Sequence, residues 1–192
     1  FLYQLACLGW TAEGIELNEK AAAFARERLG LAVTTAPVES ANLRPGTYDA
    51  VIMQMVLEHL PNPLDCLRRL RDAMKPGGQL IVAVPNFDSF EARYFRQFAY
   101  FLHVPQHMNH FTPTTLDAAM AKSGFRIGRI VGMSSKRDVT GSAKIRVAEQ
   151  GRALLSTLIA NRLVAGTALR LWLGVTAAAG KATRMMVYCE RV

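Results

Sequence analysis

Apolar runs and amphipathic stretches alternate along the first half of the chain. "TAEGIEL" (11–17), "LAVTT" (31–35), "YDAVIMQ" (48–54) and "QLIVAVP" (79–85) are short, apolar and largely β-branched, with turn residues around them, which predicts strands. "FLYQLACL" (1–8) reads as the end of a helix closed by Gly9. Between the first two strands, "NEKAAAFARERLG" (18–30) predicts a helix capped by Asn18 and closed by Gly30. "PLDCLRRLRDAMKPGG" (63–78) predicts a second, with Leu64, Leu67, Leu70 and Met74 on one face and Lys75, Pro76 and Gly77 as its stop. Strands and helices at this spacing predict an α/β fold built on a mostly parallel sheet. The runs "AVIM" and "LIVAV" are apolar throughout, as strands covered on both faces are.

The second half is patterned differently. The segment 86–111 is rich in Phe and Tyr and contains three histidines, and is expected to form a lid. "TPTTLDAAMAKSGF" (112–125) predicts a helix with Thr112 as its cap and Pro113 at its first position, followed by a strand, "FRIGRIVGM" (125–133). The segment 137–181 is expected to be helical and basic, with few acids, and "RMMVYCERV" (184–192) closes the chain as a strand. Leu154, Leu155, Leu158 and Ile159 recur at helical spacing, and Leu169, Leu171, Trp172 and Leu173 cluster further on. Two readings follow: a hairpin packed on the core or on a second subunit as a homodimer, or a helix lying on anionic lipid. The expected organisation is thus an α/β domain over 1–136 and 182–192, a lid over 86–111 and a basic helical insertion over 137–181.

Composition narrows the class. Of 192 residues, 51% are hydrophobic and 20% charged, an ordinary globular balance. The net charge of +8 suits an anionic partner or a solvated basic surface. Aromatic residues are only 8% and are not interleaved with basic ones, so no nucleic-acid partner is expected. Cys7, Cys66 and Cys189 are scattered with no CxxC, which fits a reducing, cytoplasmic setting, with peripheral membrane contact through 137–181 as an option.

Ligands of parallel α/β sheets bind beyond the carboxyl ends of the strands. Two acids stand at such ends. Glu16 closes "GIE" and can accept from both hydroxyls of a ribose, or serve as a surface acid ahead of the next helix. Glu58 and His59 follow "YDAVIMQ", where they either cap and brace the turn into 63 or take a catalytic or metal-binding part. His103, His107 and His110 form H-x3-H-x2-H with no fourth ligand nearby, so no metal site is expected there.

"GIELNEKAAAFAR" (14–26), "YDAVIMQMVLEHLPNP" (48–63), "LRDAMKPGGQLIVAVPN" (70–86) and "HMNHFTPTTLDAAMAKSGF" (107–125) together resemble the class I S-adenosyl-L-methionine-dependent methyltransferases, in the branch with ubiquinone-type and other small-molecule enzymes. The resemblance covers about residues 1–133 and implies a Rossmann-like, doubly wound, mostly parallel sheet with an antiparallel last strand and a helical insertion. It implies S-adenosylmethionine (SAM) as cofactor, with Glu16 on the ribose diol, Leu17, Val38 and Glu39 about the adenine, and Gln54 and Met55 beside the sulfonium. The family's first strand and GxGxG loop are expected immediately ahead of Phe1. His107 matches the family's HxxxF element and is the candidate base, or else a residue that ties down the lid. Tyr100, Met108 and His110 are expected to face the acceptor, a small molecule or a lipid- or sugar-linked hydroxyl compound. The rival expectation is a methyltransferase-like module that binds without catalysing.

Overall fold

The computed structural model describes residues 1–149 and 166–192. It divides into two compact units, Phe1–Arg44 and Pro45–Val192.

The first unit follows the predicted pattern. Helix α1 (Leu2–Cys7) precedes β1 (Glu13–Glu16), α2 (Glu19–Leu29) and β2 (Ala32–Thr35), and β1 and β2 pair in parallel from Glu13↔Ala32 to Glu16↔Thr35. The Asn18 side chain accepts from the Ala21 N–H at 3.1 Å, capping α2. Gly30 ends the helix at φ 64°, a left-handed conformation natural to glycine. Arg26 donates to the Val33 carbonyl and the Thr35 hydroxyl, which ties the last turns of α2 to β2.

The second unit holds a four-stranded sheet in the order β3-β4-β6-β5. Its strands are β3 (Tyr48–Gln54), β4 (Met74–Pro85), β5 (Phe125–Met133) and β6 (Arg184–Arg191). β3 and β4 run parallel, joined by α3 (Pro63–Ala73), and β6 runs antiparallel to both of its neighbours. This is the predicted class: helices on a mixed sheet whose last strand reverses. The core lies along β4 and β6, where Leu80, Val82, Val84, Val187 and Cys189 are fully buried.

Two local expectations are revised. The helix read across 63–78 ends at Ala73; Met74 is extended and begins β4. Pro76 disfavours helical backbone ahead of it, and Gly77 turns the chain at φ 73°. β3, read as covered on both faces, buries only Met53 completely. It is an edge strand of the four-stranded sheet, so Asp49 and Ala50 stay exposed.

The aromatic segment 86–111 is more compact than a loop. It forms α4 (Phe90–Phe95) and two 3-10 turns, Arg96–Phe98 and Tyr100–Leu102. Phe95, Ala99 and Phe101 are buried together, with Val139 and Ala143 of α6 (Lys136–Glu149) packed against them. Gly141 permits this approach, since a Cβ there would lie 2.7 Å from the Tyr100 ring. Helix α5 (Pro113–Lys122) carries the predicted Thr112 cap, completed by Thr115 as a capping box. Helix α7 (Thr167–Ala178) packs its end on β5: a Cβ at Gly132 would meet the Ala177 carbonyl at 2.9 Å.

Within the region predicted to be helical and basic, α6 and α7 are seen. Leu154, Leu155, Leu158 and Ile159 lie outside the described residues. Asp138 anchors α6. It is fully buried and accepts from Arg184 Nε at 2.9 Å, Arg184 Nη2 at 2.8 Å and Thr183 Oγ1 at 2.9 Å. A two-pronged guanidinium–carboxylate pair of this kind fixes orientation as well as energy. Asp138→Ala leaves a buried guanidinium short of its partner, and because Arg184 keeps some access to water the expected loss is about 2–3 kcal/mol. Urea unfolding of the two proteins measures it; a loss below about 0.5 kcal/mol would show that the pair does not hold α6 to β6.

Candidate active site

Each unit presents part of the predicted constellation at its strand ends. In the first unit, Glu16 ends β1 and its Oε1 accepts from the Asn18 N–H at 2.8 Å. Leu17 follows, 71% exposed, and Val38 and Glu39 lie half-buried in the turn after β2. An acid held by the helix start beside an exposed apolar side chain fits a ribose next to an adenine. In the second unit, Gln54 ends β3 exposed, and the Met55 N–H donates to the Ala83 carbonyl at 2.9 Å. Met55 has φ 54°, a conformation that costs a side-chain-bearing residue of order 1–3 kcal/mol. Such strain is retained where function requires the backbone shape.

Beyond Met55 the chain makes a 3-10 turn, Leu57–His59, onto which the loop 103–110 is clasped. The Glu58 carbonyl accepts from the N–H groups of Met108 at 2.9 Å and Asn109 at 3.0 Å. Asn109 Nδ2 donates to the Leu60 carbonyl at 2.6 Å, and His59 Nδ1 lies 2.9 Å from the Gln106 carbonyl. This brings His59 and His107 edge to face at 4.7 Å between ring centroids, and His103 stacks on His107 at 5.2 Å.

His107 is buried, and its Nδ1 lies 2.8 Å from the Phe101 carbonyl. A carbonyl oxygen only accepts, so Nδ1 must carry the hydrogen and Nε2 the lone pair. The same argument places a hydrogen on Nδ1 of His59. Burial lowers the His107 pKa below the ordinary imidazole value, against the opposing pull of the Phe101 carbonyl, and the neighbouring histidines lower it further. A lowered pKa favours the neutral imidazole, in which Nε2 is the base nitrogen.

Glu58 is wholly buried, and neither carboxylate oxygen meets a hydrogen-bond partner in good geometry among the described residues. Burial raises its pKa, against its own backbone N–H, His59 and Arg184. The side-chain capping role expected of Glu58 is not found: Asn62 precedes α3 at the cap position, and it is the Glu58 backbone carbonyl that braces the loop. Glu58, His59 and His107 offer donor atoms within 4.8 Å of one another. The set can relay a proton, or hold a divalent cation through two imidazoles and a carboxylate. This grouping differs from the H-x3-H-x2-H run considered above.

The remaining candidates divide. Tyr100 meets His103 edge to face at 5.1 Å and packs against Gly141, with Arg137 over its ring. Met108 is exposed beside the clasp. His110 points elsewhere: its ring lies 4.4 Å from Phe87, and Nε2 is 3.3 Å from the Leu102 carbonyl. The sequence reading did not single out the buried Glu58 carboxylate as part of the His107 cluster, although the adjacent Glu-His pair was its signal.

An α/β sheet with strand-end acids and strain is the class of fold that binds nucleotide-like cofactors. The comparisons carry this to a family: residues 1–129 match the family described as a methyltransferase domain, and the chain belongs to it. Similar curated proteins include the ubiquinone biosynthesis O-methyltransferases of Pseudomonas aeruginosa (strain LESB58), 27% identical over 147 residues, and Dechloromonas aromatica (strain RCB), 34% identical over 88 residues. These alignments cover 68% and 43% of this chain, and 61% and 38% of the respective relatives. The fold is shared with an Archaeoglobus fulgidus SAM-dependent methyltransferase at 20% identity and TM-score 0.65, covering 100% of this chain and 80% of that one. It is also shared with the cyclase SpnF at 16% identity and TM-score 0.55, covering 93% and 65%. The family implies SAM as cofactor.

The raised Glu58 pKa has a measurable consequence. Its proton is held more tightly in the folded than in the unfolded state, so its contribution to stability is full below the ordinary carboxylate range and is lost as pH rises through the raised value. Glu58→Gln removes this loss. The melting temperature of the variant relative to wild type is expected to climb by a few degrees between about pH 4 and pH 8. A difference independent of pH across that range would exclude an ionisable, buried Glu58.

Proposed function

We propose that the domain transfers a methyl group from SAM to a hydroxyl oxygen of a small-molecule or lipid- or sugar-linked acceptor. The observation that carries the reading is His107: buried, with Nδ1 2.8 Å from the Phe101 carbonyl, an acceptor that leaves Nε2 as the base nitrogen of the neutral ring. When bound, SAM supplies a methyl group on a positively charged sulfur. Glu16, Leu17, Val38 and Glu39 would hold its adenosine part and Gln54 and Met55 its sulfonium end. His107 Nε2 accepts the hydroxyl proton as the new carbon–oxygen bond forms. His59 and His103 both pack against the ring, at 4.7 Å and 5.2 Å between centroids. Tyr100, packed against His103, and Met108, next to His107 in sequence, would border the acceptor; His110, turned to Phe87, sits further along the same loop. An oxygen acceptor accords with the O-methyltransferase names of the relatives.

Replacing Glu16 by Ala removes the charged acceptor for a diol, and SAM affinity measured by calorimetry is expected to fall by about 1–3 kcal/mol. Unchanged affinity would remove Glu16 from the cofactor site. His107→Ala is expected to lower kcat by about 10²–10⁴ with SAM affinity nearly intact. A kcat within a few-fold of wild type would leave His107 as a loop brace only. SAM binding without transfer to any acceptor would favour the non-catalytic module.

A further inference from the structure

Three arginines line one cleft of about 400 Å³ in the second unit: Arg93, Arg96 and Arg146, with Tyr94, Gln97 and Phe98. No carboxylate is among the described residues that line it. Each guanidinium is placed differently. Arg93 is held by Asp88, an acid already shared with Lys181, so two cations divide one negative charge. Those hydrogen bonds, Lys181 first and then Arg93, hold the Asp88 carboxyl below the usual carboxylate range. Arg146 lies over the Tyr94 ring at 5.0 Å. Arg96 has no ion pair or side-chain hydrogen bond among the described residues, and its backbone sits at φ 48°, ψ −123°, which side-chain-bearing residues rarely adopt. A guanidinium without a partner among the described residues, on an unfavourable backbone and in one cleft with two more, concentrates positive charge that the single carboxylate of Asp88, shared by Arg93 and Lys181, offsets only in part.

An apolar ledge adjoins the cleft. Phe90 and Tyr94 are one turn apart on α4, 48% and 60% exposed. Trp172 of α7 meets Phe90 edge to face at 4.6 Å, and its indole N–H donates to the buried Glu91 at 3.0 Å, which fixes the ring. Leu171 and Val175 on the same helix are 67% and 63% exposed. The contacts run from Trp172 to Phe90 and from Tyr94 to Arg146, so ledge and cleft share helix α4.

We propose that the cleft binds a phosphate group carried on an apolar chain, independently of the methyl-transfer reading. Guanidinium forks match phosphate oxygens, and exposed aromatic side chains with a tethered indole suit an acyl or prenyl chain leaving that phosphate. Phosphate on such a chain has two sources: the headgroup of an anionic bilayer, or a soluble phosphate ester.

The test uses the full chain. Co-sedimentation with phosphatidylglycerol vesicles, phosphatidylcholine vesicles serving as reference, probes the bilayer source. Calorimetry with monomeric short-chain phosphatidylglycerol and with inorganic pyrophosphate probes the soluble one. Arg96→Gly removes the guanidinium while suiting the backbone, so the fold is retained. It is expected to weaken binding about fivefold, and Arg96→Gly with Arg146→Ala roughly twentyfold, with affinity falling as salt rises. Binding to the vesicles that Arg96→Gly weakens supports the site with a bilayer source. Binding to the monomeric lipid, tighter than to pyrophosphate and weakened in the same way, supports it with a soluble source; binding to pyrophosphate with no binding to either lipid probe overturns the apolar-chain ligand. No binding to any probe, or binding that Arg96→Gly leaves unchanged, overturns the proposal.

Discussion

The candidate site depends on one carbonyl. Glu58 C=O accepts two consecutive backbone N–H groups, from Met108 and Asn109, and so joins the turn after β3 to the loop ahead of α5. Neither segment is regular structure, and neither has a ladder of its own to hold it. With Asn109 on Leu60 and His59 on Gln106, the clasp positions His107 against His59. The Phe101 carbonyl then determines which ring nitrogen carries the hydrogen. Backbone hydrogen bonds thus do the positioning, and the side chains left over are the ones with chemistry to perform.

Those side chains are costly ones. Glu58 is buried with its oxygens unpartnered among the described residues, His107 is desolvated, and Met55 and His103 hold positive φ angles. Each is tolerated because the surrounding frame over-determines it: β4 and β6 form a closed apolar core, and Asp138 locks α6 onto the start of β6. Strain gathered at strand ends on a firm sheet is the pattern expected of a binding site.

Much of this was legible in the sequence, for physical reasons. Asn18, Gly30, Thr112 and Pro113 act within a few residues of themselves, so their helix ends were readable. Glu16 and Gln54 were found because strand ends are read from where apolar runs stop. What was hidden depends on distant partners. β3 looked buried because its residues are apolar, yet edge position is a property of pairing. Asp138 carries no local signal of its role, because its partner Arg184 lies far along the chain. The histidine run suggested one cluster, but backbone carbonyls sent His107 toward Glu58 and His59, and His110 toward Phe87. The gathering of Arg93, Arg96 and Arg146 is likewise a result of α4 packing beside α6, with no local signature.

The protonation state of His107 is where the account can be tested most directly. Nitrogen-15 NMR of the histidine side chains, with His107 assigned by its loss in His107→Gln, reads both tautomer and charge. A ring that is neutral at pH 7, protonated on Nδ1 and titrating below the ordinary histidine range, is the predicted result. A ring that is doubly protonated at pH 7, or neutral with its hydrogen on Nε2, would contradict it.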